Sequence, residues 1–169
     1  MSNLDLEICY LSASEAIEKF KNKSLSPVEL LTETIKRIEE VNPKINAFNF
    51  FRFEDALEEA KNSESKYSKD ETSLPLEGIP LAIKDEVNIT GQPNKNGSLI
   101  FKDTIAESTD IDVESLVNSG AILHARTTNP EFSLTSFCHS KVNGVTRNPW
   151  NLEMTPGGSS GGSAAALAA

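Results

Sequence analysis

The sequence predicts an α/β fold, in which helices accompany a parallel pair of buried strands. Three observations predict it. Residues 78–84 (Gly-Ile-Pro-Leu-Ala-Ile-Lys) and 120–125 (Gly-Ala-Ile-Leu-His-Ala) are short, nearly continuous apolar runs, the pattern of strands in a covered sheet. Residues 112–119 between them read as a helix, and strand–helix–strand at this spacing suggests a parallel pair joined by a right-handed crossover. The N-terminal half carries capping signals and helical periodicity, while the apolar weight lies after Pro75.

The elements follow in order. Ser12-Ala-Ser-Glu15 has the form of a capping box and opens a helix to about Lys21. Ser26-Pro27-Val28-Glu29 is a stronger one, with proline at the first helical position. Val28, Leu31, Ile35, Ile38 and Val41 then recur at helical spacing, and Asn42-Pro43 is expected to end that helix. Residues 46–53 are rich in phenylalanine and predict a strand. Residues 55–67 predict a charged helix with Ala56, Leu57 and Ala60 inward. A polar loop covers 68–77. After the second apolar strand, residues 129–132 start a turn or short helix, and Asn148-Pro-Trp-Asn151 is a turn. Residues 155–163 form a Gly/Ser loop, and Ala164 to Ala169 read as a helix of almost no side-chain volume. Disorder is expected only in a few N-terminal residues.

The totals exclude several function classes. A chain of 169 residues can bury one core. Its net charge of −9 argues against nucleic acid and anionic membrane as partners, since both need a basic face. Cys9 and Cys138 lie far apart and outside any Cys-x-x-Cys pair, so neither a disulfide framework nor a metal site is expected. A reducing, cytoplasmic location fits. The N-terminus has no basic segment and no long apolar run, so no signal peptide or membrane span is expected.

Three readings of the Gly/Ser loop compete. Gly157-Gly-Ser-Ser-Gly161 formally matches the nucleophile elbow Gly-x-Ser-x-Gly, but Pro156 and a turn precede it where a strand is needed. His124 and His139 also come before it rather than after. A phosphate loop would need a lysine that the segment lacks, although anion binding at a helix start stays open. The third reading joins the loop to Lys84, which ends an apolar strand where sites gather. A lysine on the surface is the plain alternative. A lysine desolvated beside hydroxyls is biased toward its neutral amine, which can serve a serine as general base without histidine.

Gly78-Ile-Pro-Leu-Ala-Ile-Lys-Asp85, Gly120-Ala-Ile-Leu-His-Ala-Arg-Thr-Thr-Asn-Pro-Glu-Phe132, Gly144-Val-Thr-Arg-Asn-Pro-Trp-Asn151 and Pro156-Gly-Gly-Ser-Ser-Gly-Gly-Ser-Ala-Ala-Ala166 resemble the amidase signature family. Leu25-Ser-Pro-Val-Glu-Leu30 and Val41-Asn-Pro-Lys-Ile-Asn-Ala-Phe48 resemble its N-terminal helices. The resemblance covers nearly the whole chain in order, and it implies an α/β fold of helices packed on a mixed, largely parallel sheet. It implies an amide hydrolase with a Ser–cis-Ser–Lys triad, acting on a small-molecule amide without cofactor. Lys84 matches the general base, and Ser159 the middle serine that relays the proton. A cis peptide bond is implied at Gly158–Ser159. Gly158, Ser160 and Asp85 are supporting candidates, with Asp85 equally open to being a solvated carboxylate.

The resemblance further implies that the acylated serine and the oxyanion donors lie beyond residue 169. The chain is then expected to be the N-terminal part of the fold, inactive alone: residues 1–70 an N-terminal helical region, 71–169 the start of the catalytic core, one domain overall. The oligomeric state is left open, with a homodimer at full length as one option. The alternative is a non-catalytic remnant or interaction module. Residues 125–133 resemble the general amidase and cyclic-dimer-hydrolase branch more than the glutaminyl-tRNA amidotransferase branch. Asn94-Lys-Asn96 and Glu86 depart from the family pattern, which commonly has Thr-Thr and asparagine there. Ser136 and Cys138 are candidates for lining the substrate funnel. For His124, His139 and Trp150 packing roles are expected, and for Ser163 a hydrogen bond at the helix start.

Overall fold

Both capping signals form. In a computed structural model that describes residues 6–71 and 74–169, a short helix α1 (Leu6–Cys9) precedes α2 (Ala13–Lys21). The expected N-terminal tail and two residues of the polar loop lie outside the described residues. The Ser12 hydroxyl accepts from Glu15 N–H, and the Glu15 carboxylate accepts from Ser12 N–H at 2.9 Å. Ser26 and Glu29 repeat this reciprocity, at 2.8 and 3.1 Å, before α3 (Pro27–Ile45).

Helix α3 runs through Pro43 instead of stopping at Asn42. Proline costs a helix its own N–H bond, and so close to the end only that one bond is forfeited. Termination falls to Asn46, which takes φ 50° and donates its N–H to Asn42 C=O. The Asn42 side-chain oxygen accepts from Ala47 and Phe48 N–H, turning the chain into β1 (Phe48–Phe51). Helix α4 (Phe53–Ser68) follows, longer than its charged segment predicts.

Strand β2 (Pro80–Lys84), helix α5 (Ile111–Asn118) and strand β3 (Ile122–Thr127) match the expected strand–helix–strand. The sheet order is β1-β3-β2. Gly78 N–H donates to Gly120 C=O at one end, and Asp85 N–H to Thr127 C=O at the other, so β2 and β3 are parallel. Strand β1 pairs antiparallel with β3, Phe51 opposite Ala125. The sheet is therefore mixed. Central β3 is buried throughout, and edge strand β2 is half-buried. A two-stranded ribbon, β4 (His139–Ser140) with β5 (Gly144–Val145), was not legible in the sequence. Helix α6 (Gly161–Ala168) begins three residues before its alanine run.

The chain divides into two compact units. Met1–Glu40, Arg52–Leu81 and Ser115–His124 form one. Its core joins Ala16, Phe20, Leu25, Leu30 and Tyr67, with Phe20 and Tyr67 rings 5.4 Å apart. A second cluster joins Leu31, Ala56, Ala60 and Ile122. Val41–Phe51, Ala82–Glu114 and Ala125–Ala169 form the other unit.

His124 is buried as expected, and burial pushes its imidazole down to about 4 from 6.5. Between these values the unfolded chain binds a proton that the folded chain refuses. Stability from this group is thus full above pH 6.5 and is lost as pH falls toward 4, by about 3 kcal/mol at most. Denaturation of His124→Gln across this window should show a flatter pH dependence than the parent. Parallel curves would remove His124 as the cause. Trp150 does not pack: it is 87% exposed, because the turn between bridged Asn148 and Asn151 points it outward.

Candidate active site

The site is built on the end of β2 and on the loop before α6. Lys84 is the last residue of β2, so its side chain leaves the strand where the backbone turns away. That turn is fixed from below by Arg126 of β3. The guanidinium is 0% exposed and donates to the carbonyls of Ile83, Lys84, Asp85, Val87 and Pro93 and to Gln92 Oε1. Burial pulls Arg126 below its usual value, opposed by the charges of Asp85 and Asp110. Asp85 is buried too, with its Oδ2 lacking a hydrogen-bond partner, so the solvated reading of this carboxylate is wrong. Its N–H donates to Thr127 C=O, and its charge acts on Arg126.

The loop is positioned by close backbone contacts. The Gly158–Ser159 peptide is cis. A Cβ at Gly158 would sit 2.7 Å from Thr135 C=O and 2.9 Å from Phe137 N, so only glycine fits. This puts the backbone of exposed Ser136 against the loop. A Cβ at Gly162 would sit 2.5 Å from Thr128 N, and Gly162 N–H donates to Thr128 C=O. Ser163 does not cap α6; its Oγ pairs with Thr127 Oγ1 at 2.7 Å. Cys138 is buried between Gly161 and the hydroxyls of Thr128 and Thr146. His139 is exposed and stacks on Phe137 at 4.5 Å.

These constraints bring Lys84 and Ser159 together. Lys84 Nζ donates to Ser159 Oγ at 2.8 Å. Ser160 is exposed, and its side chain makes no capping bond to α6. Lys84 Nζ has a second partner that sequence reasoning missed, Glu86 Oε1 at 2.8 Å. Side-chain exposures are 12% for Lys84 and 35% for Glu86. Burial works against the Glu86 charge, but hydrogen bonds from Lys84 and Ser133 outweigh it, so its carboxyl lies below the usual carboxylate value. Among the described residues no group of histidine, cysteine and carboxylate side chains could hold a metal ion. No helix among them is long and apolar enough to cross a membrane.

The family model for amidases matches residues 29–169. The chain belongs to the amidase family. A glutamyl-tRNA(Gln) amidotransferase subunit from Methylacidiphilum infernorum is 42% identical over 97% of this chain and 32% of its own length. A bacterial aryl acylamidase of the amidase signature family superposes with a TM-score of 0.88 at 30% identity, over 94% of this chain and 33% of that one. A substrate complex of 6-aminohexanoate cyclic dimer hydrolase gives 0.82 at 34% identity, over 95% and 33%. The chain thus spans about a third of the length of the curated relatives it matches.

Proposed function

We propose that this chain carries the base and the proton relay of an amide-bond hydrolase, and that the acylated serine comes from the remaining length of an amidase. The observation that carries this reading is the 2.8 Å contact between Lys84 Nζ and Ser159 Oγ. As the nucleophilic serine attacks the amide carbon, it gives its proton to Ser159, which passes its own to the Lys84 amine. The reverse transfer protonates the leaving nitrogen, and water repeats the cycle on the acyl-enzyme. Lys84 suits the task because its side chain is largely withdrawn from water while the Arg126-held turn fixes its root. No cofactor enters this scheme. Amides are the substrate class, and the amidotransferase relatives favour a second reading of partners, in which the protein works within a multisubunit enzyme of that kind.

The test compares Ser159→Ala with Ser160→Ala in a form extended to amidase length, with the 169-residue chain as the inactive blank. Ser159→Ala is expected to lower kcat about 10²–10⁴-fold, since the hydroxyl takes part in each transfer. Ser160→Ala should stay near the parent, its side chain being exposed. Equal losses would reject the assignment.

A further inference from the structure

Among the described residues Glu86 is the carboxylate paired with the proposed base, and it is held from behind. Buried Asn129 donates through Nδ2 to Ser133 Oγ at 3.1 Å. Ser133 in turn helps to hold the Glu86 carboxyl below its usual value. Ser133 sits in a turn where both it and Phe132 take left-handed backbone, φ 54° and 52°. Residues other than glycine adopt this conformation only where the surroundings impose it. Here Ser98 Oγ donates to Glu131 Oε1 at 2.7 Å, and Gly97 packs beneath Pro130. The result is a continuous chain of contacts: Asn129, Ser133, Glu86, Lys84, Ser159.

We propose that Glu86 is a positioning residue for Lys84: it aims the amine at Ser159 and stabilises the ammonium that forms when Lys84 takes the proton. The inference rests on the reading of Lys84 as base. In the neutral amine one N–H donates to Glu86, and with the second N–H turned away the lone pair faces the Ser159 hydroxyl, 2.8 Å from Nζ. When the Ser159 proton moves to Nζ, the new positive charge arises 2.8 Å from a carboxylate already in place. Glu86 keeps its own charge throughout and gives up no proton. Burial works against its charge, but Lys84 and Ser133 together hold its carboxyl below the usual carboxylate value.

This arrangement has a pH signature. At acid pH Lys84 is an ammonium in the resting enzyme and in the transition state alike, so Glu86 stabilises both and its loss cancels. At alkaline pH only the transition state carries the charge, and the loss appears in kcat. The other groups around the pair are Asp85 and Arg126 beneath the strand end, Asp110 acting on Arg126, Glu131 tied to Ser98, and the uncharged hydroxyls of Ser133 and Ser159.

The experiment measures kcat and KM against pH for Glu86→Gln and Glu86→Asp in the amidase-length form, beside Lys84→Ala. The alkaline kcat of Glu86→Gln should fall about ten- to hundredfold with KM unchanged, the scale of a charge-assisted hydrogen bond. Its acid limb should converge on the parent, and Glu86→Asp should recover part of the loss. A uniform loss at every pH, or no loss, overturns the role of Glu86 while an inactive Lys84→Ala leaves the base intact. An active Lys84→Ala overturns both. Folding is checked by denaturation, and a parent-like Glu86→Gln midpoint ties the kinetic change to the site.

Discussion

Lys84→Ala in an amidase-length form is expected to lose about 10³-fold or more in kcat, at the upper part of the range for general acid–base catalysis. The argument begins with the strand. Ile79-Pro-Leu-Ala-Ile83 is apolar, and Lys84 ends it at the carboxyl end of a parallel strand, where the backbone turns and side chains converge. Alanine keeps the strand and the Arg126 contacts, which reach backbone carbonyls and not the lysine side chain. What it removes is the nitrogen base in contact with Ser159. Ser159 then has no acceptor for the proton it relays, and the attacking serine stays an alcohol. The cost in stability should be small, because the lost ion pair with Glu86 is partly exposed and such pairs contribute about 0–1 kcal/mol. Kinetics and denaturation together check the prediction: activity lost with an unchanged unfolding midpoint. A near-normal rate would take Lys84 out of the mechanism. A large drop in stability would instead make it a structural residue.

Lys84 and the Gly/Ser loop stand out locally in the sequence, as a charge at the end of an apolar run and as hydroxyls among glycines ahead of a small-residue helix, while the roles proposed for Lys84 and Ser159 came from the family resemblance. Their meeting was an expectation of the reading that joins the loop to Lys84; the means was not legible, since 75 residues separate them and the pairing of β2 with β3, together with the seat of Gly162 on Thr128, closes that distance. Local capping signals transferred intact to α2 and α3, whereas Pro43 misled because its penalty depends on how near the helix end it falls. Glu86 stood out only as a departure from the family pattern, and nothing in the sequence tied it to Lys84. A carboxylate two residues past a lysine is ordinary on a surface, and the left-handed turn at Phe132 and Ser133, whose hydroxyl also acts on it, is not announced by those residue types. Arg126 lies inside a family motif, but nothing in the run of residues 122–127 says that a guanidinium will be fully enclosed.

That enclosure makes Arg126 the residue whose loss should cost the fold most. Arg126→Met is expected to destabilise by about 3–5 kcal/mol, the scale for removing one partner of a buried charge pair. Methionine fills much of the volume, so the penalty comes from the groups left behind. Five carbonyls and one side-chain amide oxygen lose a donor, and the buried carboxylate of Asp85 loses its neighbouring cation. Lysine should not substitute, because one ammonium with three donors cannot span acceptors spread from Ile83 to Pro93. If the stranded Asp85 charge is a large part of the penalty, adding Asp85→Asn to Arg126→Met should recover stability, and the two effects should be non-additive. Urea denaturation of the four proteins in the cycle measures both terms. An Arg126→Met variant within about 1 kcal/mol of the parent would mean that water or a shifted backbone satisfies those carbonyls, and the turn carrying Lys84 would then owe its shape to the strand pairing alone.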